Sequence, residues 1–388
     1  MYKITTFNKI SDKGLRLFNQ DKYALTPEDL TDADGVLLRS YDLNKTELPE
    51  SIVAVARAGA GVNNVPVDRC SEKGIVVFNA PGANANGVKE LTLLALLLSS
   101  RKVYDGIRWV NTIERDVEKL VEKGKSQFEG PEIEGKTLGV VGLGAIGVLV
   151  ANMGIKLGMK VIGYDPYISV QKAIGLSWDV SYSTSLNALL SEADYVTLHI
   201  PLMDETKGFM DAEKISKMKK GSRLINMSRG GLVEDAAIIE AISSKRVSCF
   251  VTDFPTDNLV NQEGVICIPH LGASTPESEE NCARMVVEQL IDFLEKGNIT
   301  NSVNFPDCHL DRVDGTNRIV ILNKNVPNMI SSLSAVFGKY NINIISMVNK
   351  SKGDYACNII DIEPEKGNGK KIEELKKIDG IISVRQVY

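Results

Sequence analysis

The sequence predicts an α/β chain: two Rossmann-like, doubly wound parallel-sheet domains followed by a C-terminal ferredoxin-like β-α-β-β-α-β unit. Three observations predict it. Short apolar runs alternate with helical stretches from residue 1 to about residue 90, the pattern of parallel strands buried on both faces. A strand, a glycine turn, a helix and a second strand follow one another between Thr137 and Asp165. Beyond Arg318 the rhythm changes to two helices among four strands within about 70 residues.

In chain order, residues 2–6, 35–38, 52–56 and 76–78 read as strands. Two polar, glycine-rich loops follow the last two, running from Arg57 to Asn64 and from Asn79 to Asn84. Open α/β sheets bind ligands at the carboxyl ends of their strands, where backbone N–H groups suit a carboxylate and Arg57 adds charge. The competing reading is a pair of tight turns. Residues 90–102 form an apolar helix, and the charged stretch 108–125 reads as a solvated helix.

The run from Thr137 to Asp165 carries the most information. Gly142, Gly144 and Gly147 form G-x-G-x-x-G between an apolar strand and a helix. That arrangement turns the chain tightly, lets backbone approach a pyrophosphate and points a helix N-terminus at the anion. Asp165 ends the second strand, where a carboxylate accepts hydrogen bonds from a ribose and repels a 2′-phosphate. NAD rather than NADP is expected. Residues 194–199 and 223–227 read as further strands of the same sheet. Residues 277–296 form a long amphipathic helix, and 298–315 a polar linker.

Three polar segments lie downstream of the glycine turn: Asn226 to Gly231, Asp253 to Asp257, and Pro269 to Thr275. An arginine, an acid and a histidine at strand ends suit the oxidation of a 2-hydroxy acid. The Arg229 guanidinium binds a carboxylate in a fork, and the His270 imidazole takes the hydroxyl proton. A carboxylate on the far ring nitrogen would fix its tautomer. His199 reads as a wall of the cofactor cleft and His309 as a solvated loop residue.

Composition narrows the classes. A net charge of −5 gives no basic face for nucleic acid. Six scattered cysteines without C-x-x-C fit free thiols in a reducing compartment, and the three histidines show no metal-ligand spacing. The N-terminus starts as a strand, and the apolar stretch 91–98 is too short to span a bilayer. A cytoplasmic protein without membrane or nucleic-acid partners is expected.

With Asp165, the segments GLGAIG, NMSRGGLVED and IPHLGAST resemble the D-isomer-specific 2-hydroxy acid dehydrogenases over essentially the whole chain. RAGAGVNNV after Ile52 to Ala56, FNAP after Val77, and an ACT-like C-terminal unit resemble the phosphoglycerate-oxidising branch of that family. The resemblance implies NAD-dependent oxidation of 3-phospho-D-glycerate to 3-phosphooxypyruvate, the first step of serine synthesis. Another 2-hydroxy acid, or an NAD-sensing regulatory protein, is the competing reading. It also implies a homodimer or homotetramer.

By matching position, the resemblance makes Arg229 and His270 catalytic. It places Arg39, Ser40, Arg57, Gly59, Ala60, Asn84 and Arg229 around the substrate. It assigns Ala145, Ile146, Asp165, Ile200, Ser228, Asp253, Gly272 and Ala273 to the cofactor, with Asp253 on the nicotinamide amide. The usual glutamate before proline is missing, since Asn258 stands there. Asp257 is therefore expected to pair with His270, with Glu263 second. Lys89 is expected to be exposed on a helix rather than a phosphate ligand. In the ACT-like unit Asn325 and Asn343 match serine-binding positions, so L-serine is an expected effector. Asn323 and Asn328 depart from the pattern there. The expected domains are 1–92 with 283–305 for substrate, 93–282 for NAD, a linker 306–317 and the ACT-like unit 318–388.

Overall fold

A computed structural model of the chain describes residues 1–364 and 370–387. The chain divides into two compact units, Met1–Asn84 with Glu279–Tyr388, and Ala85–Ser278. The expected boundary between residues 92 and 93 instead falls inside one continuous helix, Ala85–Ser100.

The first unit opens with a five-stranded parallel sheet: β1 (Tyr2–Phe7), β2 (Tyr23–Pro27), β3 (Gly35–Leu38), β4 (Ala54–Arg57) and β5 (Val76–Phe78), in the order β2-β1-β3-β4-β5. Strands β3 and β5 are buried along their length and β4 up to Arg57, as near-continuous apolar runs require. Strand β2 was not foreseen. It lies at the sheet edge and ends in Pro27, where proline is tolerated.

The second unit carries seven parallel strands: β6 (Thr137–Val141), β7 (Lys160–Tyr164), β8 (Ser181–Tyr182), β9 (Tyr195–Leu198), β10 (Ser222–Asn226), β11 (Val247–Thr252) and β12 (Val265–Cys267). Their order, β12-β11-β10-β9-β6-β7-β8, reverses direction between β6 and β9. Ligands bind at such a switch point, and the glycine turn leaves β6 there. The charged stretch after Ser100 forms two helices, Val103–Val110 and Val117–Gly124, separated near left-handed Asp116. Neither helix buries a residue, and both expose apolar side chains, among them Ile107 at 53%. The sequence suggested a solvated charged helix; the structure adds an uncovered apolar stripe.

The remaining strands, β13 (Asn317–Lys324), β14 (Ile344–Lys352), β15 (Tyr355–Ile362) and β16 (Ile381–Val387), form an antiparallel sheet ordered β14-β15-β13-β16. With helices Met329–Lys339 and Lys370–Lys376 this is the ferredoxin-like topology. One sheet face packs on its own helices through Ile321, Leu333, Phe337 and Ile360. The other, through Val320, Leu322, Cys357 and Ile359, joins the core of the first sheet.

The helix Pro276–Lys296 places Val286, Leu290, Phe293 and Leu294 in that shared core at helical spacing. It ends at Gly297, whose φ of +76° and closeness to Val320 exclude a side chain; a Cβ there would lie 2.2 Å from Val320 Cγ2. The expected polar linker is pinned instead of solvated. Asn304 accepts the Val77 amide and donates to Ser71 Oγ and the Ile75 carbonyl, while Phe305 and Cys308 are buried. Its polar side chains satisfy the outer edge of β5.

Among the described residues, no helix is long and apolar enough to cross a membrane, and no group of His, Cys, Asp and Glu side chains is arranged to hold a metal ion. All six cysteines are free.

Candidate active site

The glycine turn is held from below. The His199 amide donates to the Val141 carbonyl, and a Cβ on Gly142 would lie 2.6 Å from the His199 carbonyl oxygen. A Cβ on Gly147 would lie 1.8 Å from the Gly142 carbonyl oxygen, so the turn closes only with glycine at both positions. Gly144 faces open space, the approach a phosphate group needs. Ala145 and Ile146 begin the helix Ala145–Lys156 behind it.

Asp165 ends β7, and its two carboxylate oxygens accept the amides of Leu143 and Tyr167, each at 2.8 Å. A carboxylate offers about four lone-pair positions, so acceptor capacity remains for ribose hydroxyls. Ile200 follows β9, and its carbonyl accepts the Ser228 hydroxyl at 2.5 Å. The His199 ring bonds Thr197 through Nε2, while Nδ1 is buried without a partner. Burial pulls its pKa down to about 3, so the ring is neutral.

Three neighbouring strands deliver the expected chemical groups. Arg229 follows β10, Asp253 follows β11, and His270 follows β12. The Asn226 side chain braces the first loop by donating to the Arg229 carbonyl and accepting the Ser228 amide. The Arg229 guanidinium is half-buried and donates to the Ser228 carbonyl. His270 is exposed, with its ring 4.6 Å from the Phe254 ring.

Asp253 is 1% exposed, and its Oδ1 has no hydrogen-bond partner. Burial pushes its pKa up; the His270 charge, the amides of Gly272 and Asp253 and the Arg229 charge pull the other way. One field therefore links the acid, the imidazole and the guanidinium. Gly272 is buried beside Asp253, and Ala273 is half-buried. An orphaned acceptor at this depth fits an N–H donor such as a carboxamide, and the open Gly144 fits a pyrophosphate. The unit's residues thus fit a dinucleotide.

The expected pairing of Asp257 with His270 is not present. Among the described residues no carboxylate lies within ion-pairing distance of the His270 ring. Asp257 is exposed on a turn whose flanks, Thr256 and Asn258, donate to Asp235 instead. Those two bonds fasten the turn to the start of the helix Asp235–Ser243. Glu263 is exposed as well. Phe254 takes the place beside the imidazole, and nothing in its spacing marked it.

In the first unit the expected substrate loops crown one sheet edge. Ser40 donates from its amide and hydroxyl to Asn8 Oδ1. Arg57 donates through Nε to the Arg39 carbonyl and lies over Gly59, where a Cβ would be 1.8 Å from its Nη1. Arg39 pairs with Glu279 at 2.6 Å. The Ala60 carbonyl accepts from Asn79, and Asn84 closes the segment, half-buried. In the second unit Lys89 is bound along its own helix to Asn86 and Glu90.

The two expected regulatory asparagines lie at opposite ends of β15. The Asn325 amide bonds the Asp354 carbonyl, whereas the Asn343 carbonyl accepts the Glu363 amide. Asn325 lines a cavity of about 300 Å³ with Asn323, Asn328 and Asn349; Asn343 does not line it.

Residues 93–272 match the NAD binding domain of the D-isomer specific 2-hydroxyacid dehydrogenases. The chain is 32% identical to the D-3-phosphoglycerate dehydrogenase of Escherichia coli K12 over 381 residues, covering 93% of this chain and 88% of that protein. It is 34% identical to the Methanocaldococcus jannaschii D-3-phosphoglycerate dehydrogenase over 78% of this chain, but spans only 58% of that relative's length, and 59% of the Bacillus subtilis one. Among solved structures, the NAD⁺-bound 3-phosphoglycerate dehydrogenase of Entamoeba histolytica aligns with a TM-score of 0.62 and 26% identity, covering 78% of this chain and 98% of that one. Rhodotorula graminis D-mandelate dehydrogenase aligns at 0.68 with 24% identity, covering 78% and 97%, a likeness of fold. The chain belongs to the D-isomer specific 2-hydroxyacid dehydrogenase family, with its NAD-binding domain in the unit that carries Arg229, Asp253 and His270.

Proposed function

We propose that the chain oxidises 3-phospho-D-glycerate to 3-phosphooxypyruvate with NAD, the first step of L-serine synthesis. The observation that supports this reading is that Arg229, Asp253 and His270 follow three adjacent strands of the sheet that also carries the glycine turn. The names of the relatives supply the substrate. Bound NAD supplies the hydride acceptor. Asp253 Oδ1, buried without a partner, would hold the carboxamide of the nicotinamide through an N–H. The Arg229 fork holds the substrate carboxylate, and His270 takes the hydroxyl proton on oxidation and returns it on reduction. In the other unit, Arg57, Arg39, Ser40, Asn84 and the backbone of Gly59 and Ala60 are assigned to the substrate, with the arginines suited to its phosphate.

A 340 nm assay over a panel of 2-keto acids tests the substrate. Preference for 3-phosphooxypyruvate supports the reading, and preference for pyruvate or 2-oxoglutarate overturns it. Oxidation needs a neutral imidazole, so its rate rises with pH; a flat profile removes His270 from this role.

The protein is further proposed to be a cytoplasmic homodimer or homotetramer, joined by the apolar stripe of Val103, Ile107, Val117 and Leu120. Light scattering of Ile107→Glu tests the interface: an unchanged mass refutes it. L-serine is the proposed effector, with the amide-rich cavity beside Asn325 suited to its ammonium, carboxylate and hydroxyl groups. Activity undiminished by millimolar serine refutes that assignment.

A further inference from the structure

The first unit holds a cleft of about 600 Å³ that none of the residues assigned above lines. It opens where the turn before β5 meets the edge strand β16. A Cβ on Gly74 would lie 2.9 Å from Ser383 Cβ, so the two elements touch and close one end. Val53, Ile75, Phe293, Leu322 and Ile382 give the cleft apolar walls. Its volume lies in the usual range for a small-molecule site.

Charge is the second observation. Arg385 lines the cleft with its guanidinium 4.4 Å from the centre of the Phe293 ring. It donates to the carbonyls of Phe293 and Leu294, the C-terminal turn of the long helix. No carboxylate among the described residues lies within ion-pairing distance of it. Five N–H groups are available on a guanidinium, so these two bonds leave donors over. Burial draws its pKa down to about 10, and the more distant Tyr2, Cys357 and Asp34 offset only part of that shift. Lys73 and Lys376 also line the cleft, against Glu50 alone. Lys73 donates to the Leu48 carbonyl and lies 3.9 Å from Glu47, and Lys376 lies 3.3 Å from Glu373; both carboxylates are exposed.

We propose that this cleft binds a small organic monocarboxylate with an aliphatic or aromatic body. Its carboxylate meets Arg385 and the two lysines, and its body lies along the apolar wall. The ligand bridges the first sheet and the edge of the C-terminal sheet, so binding stabilises their junction. This inference does not rest on the proposed reaction.

Calorimetry and thermal unfolding of the full chain with octanoate, inorganic phosphate and 1-octanol test it. Arg385 caps a helix, so the diagnostic variant uses the rim: Lys73→Glu with Lys376→Glu. Octanoate is expected to bind one per chain with a Kd of about 1 mM or tighter and to raise Tm. The double variant is expected to weaken octanoate at least about tenfold while its ligand-free Tm and its turnover stay unchanged. Arg229→Gln is expected to bind octanoate as the parent does. The proposal fails if octanoate gives no heat at about 10 mM, or if the double variant binds it undiminished. It also fails if phosphate or octanol binds equally well, or if Arg229→Gln abolishes binding, which would place the acid in the active site.

Discussion

Two buried charges in this molecule have opposite surroundings. Arg318, fully enclosed on β13, spends all five N–H groups: two on Asp361, and one each on the carbonyls of Lys296, Leu310 and Asp311. Asp253, equally enclosed after β11, leaves one oxygen without a partner. The first arrangement fixes architecture, since every buried donor is satisfied. The second keeps an acceptor in reserve and bears the cost of its burial, which is how a binding position differs from a brace.

The largest expected effect tests the brace. Asp361→Ala leaves Arg318 buried without its counter-charge and should destabilise the chain by about 3–5 kcal/mol, read by denaturant unfolding. A loss below about 1 kcal/mol would show that water or another carboxylate replaces the pair. Next comes the chemistry. His270→Ala should lower turnover by about 10²-fold or more with little change in Tm. Equal losses of Tm and activity would make it a structural residue.

Asp253→Asn joins the two sides of the comparison. Removing a buried charge should raise Tm modestly, while cofactor binding weakens by about tenfold. A fall in both would make Asp253 another brace. A neutral His199 gives a pH test with a definite sign. Its folded pKa lies below its unfolded value, so its contribution to stability is present above about pH 6.5. That contribution is lost as pH falls toward the folded value of about 3. Tm should drop on acidification, and His199→Gln should flatten that slope. The smallest expected effect is at Asp257. Alanine there should change turnover by less than about threefold, and a larger loss would mean that its turn reaches His270 during catalysis.

Much of this was readable in advance because local physics dictated it. The turn from Gly142 to Gly147 needs glycine at fixed spacing, and Arg229 and His270 stand beside motifs with little freedom. The strand order after Arg318 follows from alternation of strand and helix. Other features depended on residues distant in sequence. Asn304 looks like linker polarity until β5 lies beside it. Asp257 looks like a partner for His270 until Asp235 captures its neighbours. Phe254 gives no spacing signal at all, because ring packing depends on the third dimension alone. The short strands β8 and β12 contain too few residues to show a period.

The C-terminal sheet shares its apolar floor with the first domain, through Val320, Leu322, Cys357 and Ile359 against Phe78, Phe293 and Phe305. It is therefore not a detachable accessory. A gene shortened before β13 would yield a chain with a greasy scar in place of an interior, and should aggregate on expression instead of yielding a folded remainder. Any swap of this end for a homologous one must carry a matching underside.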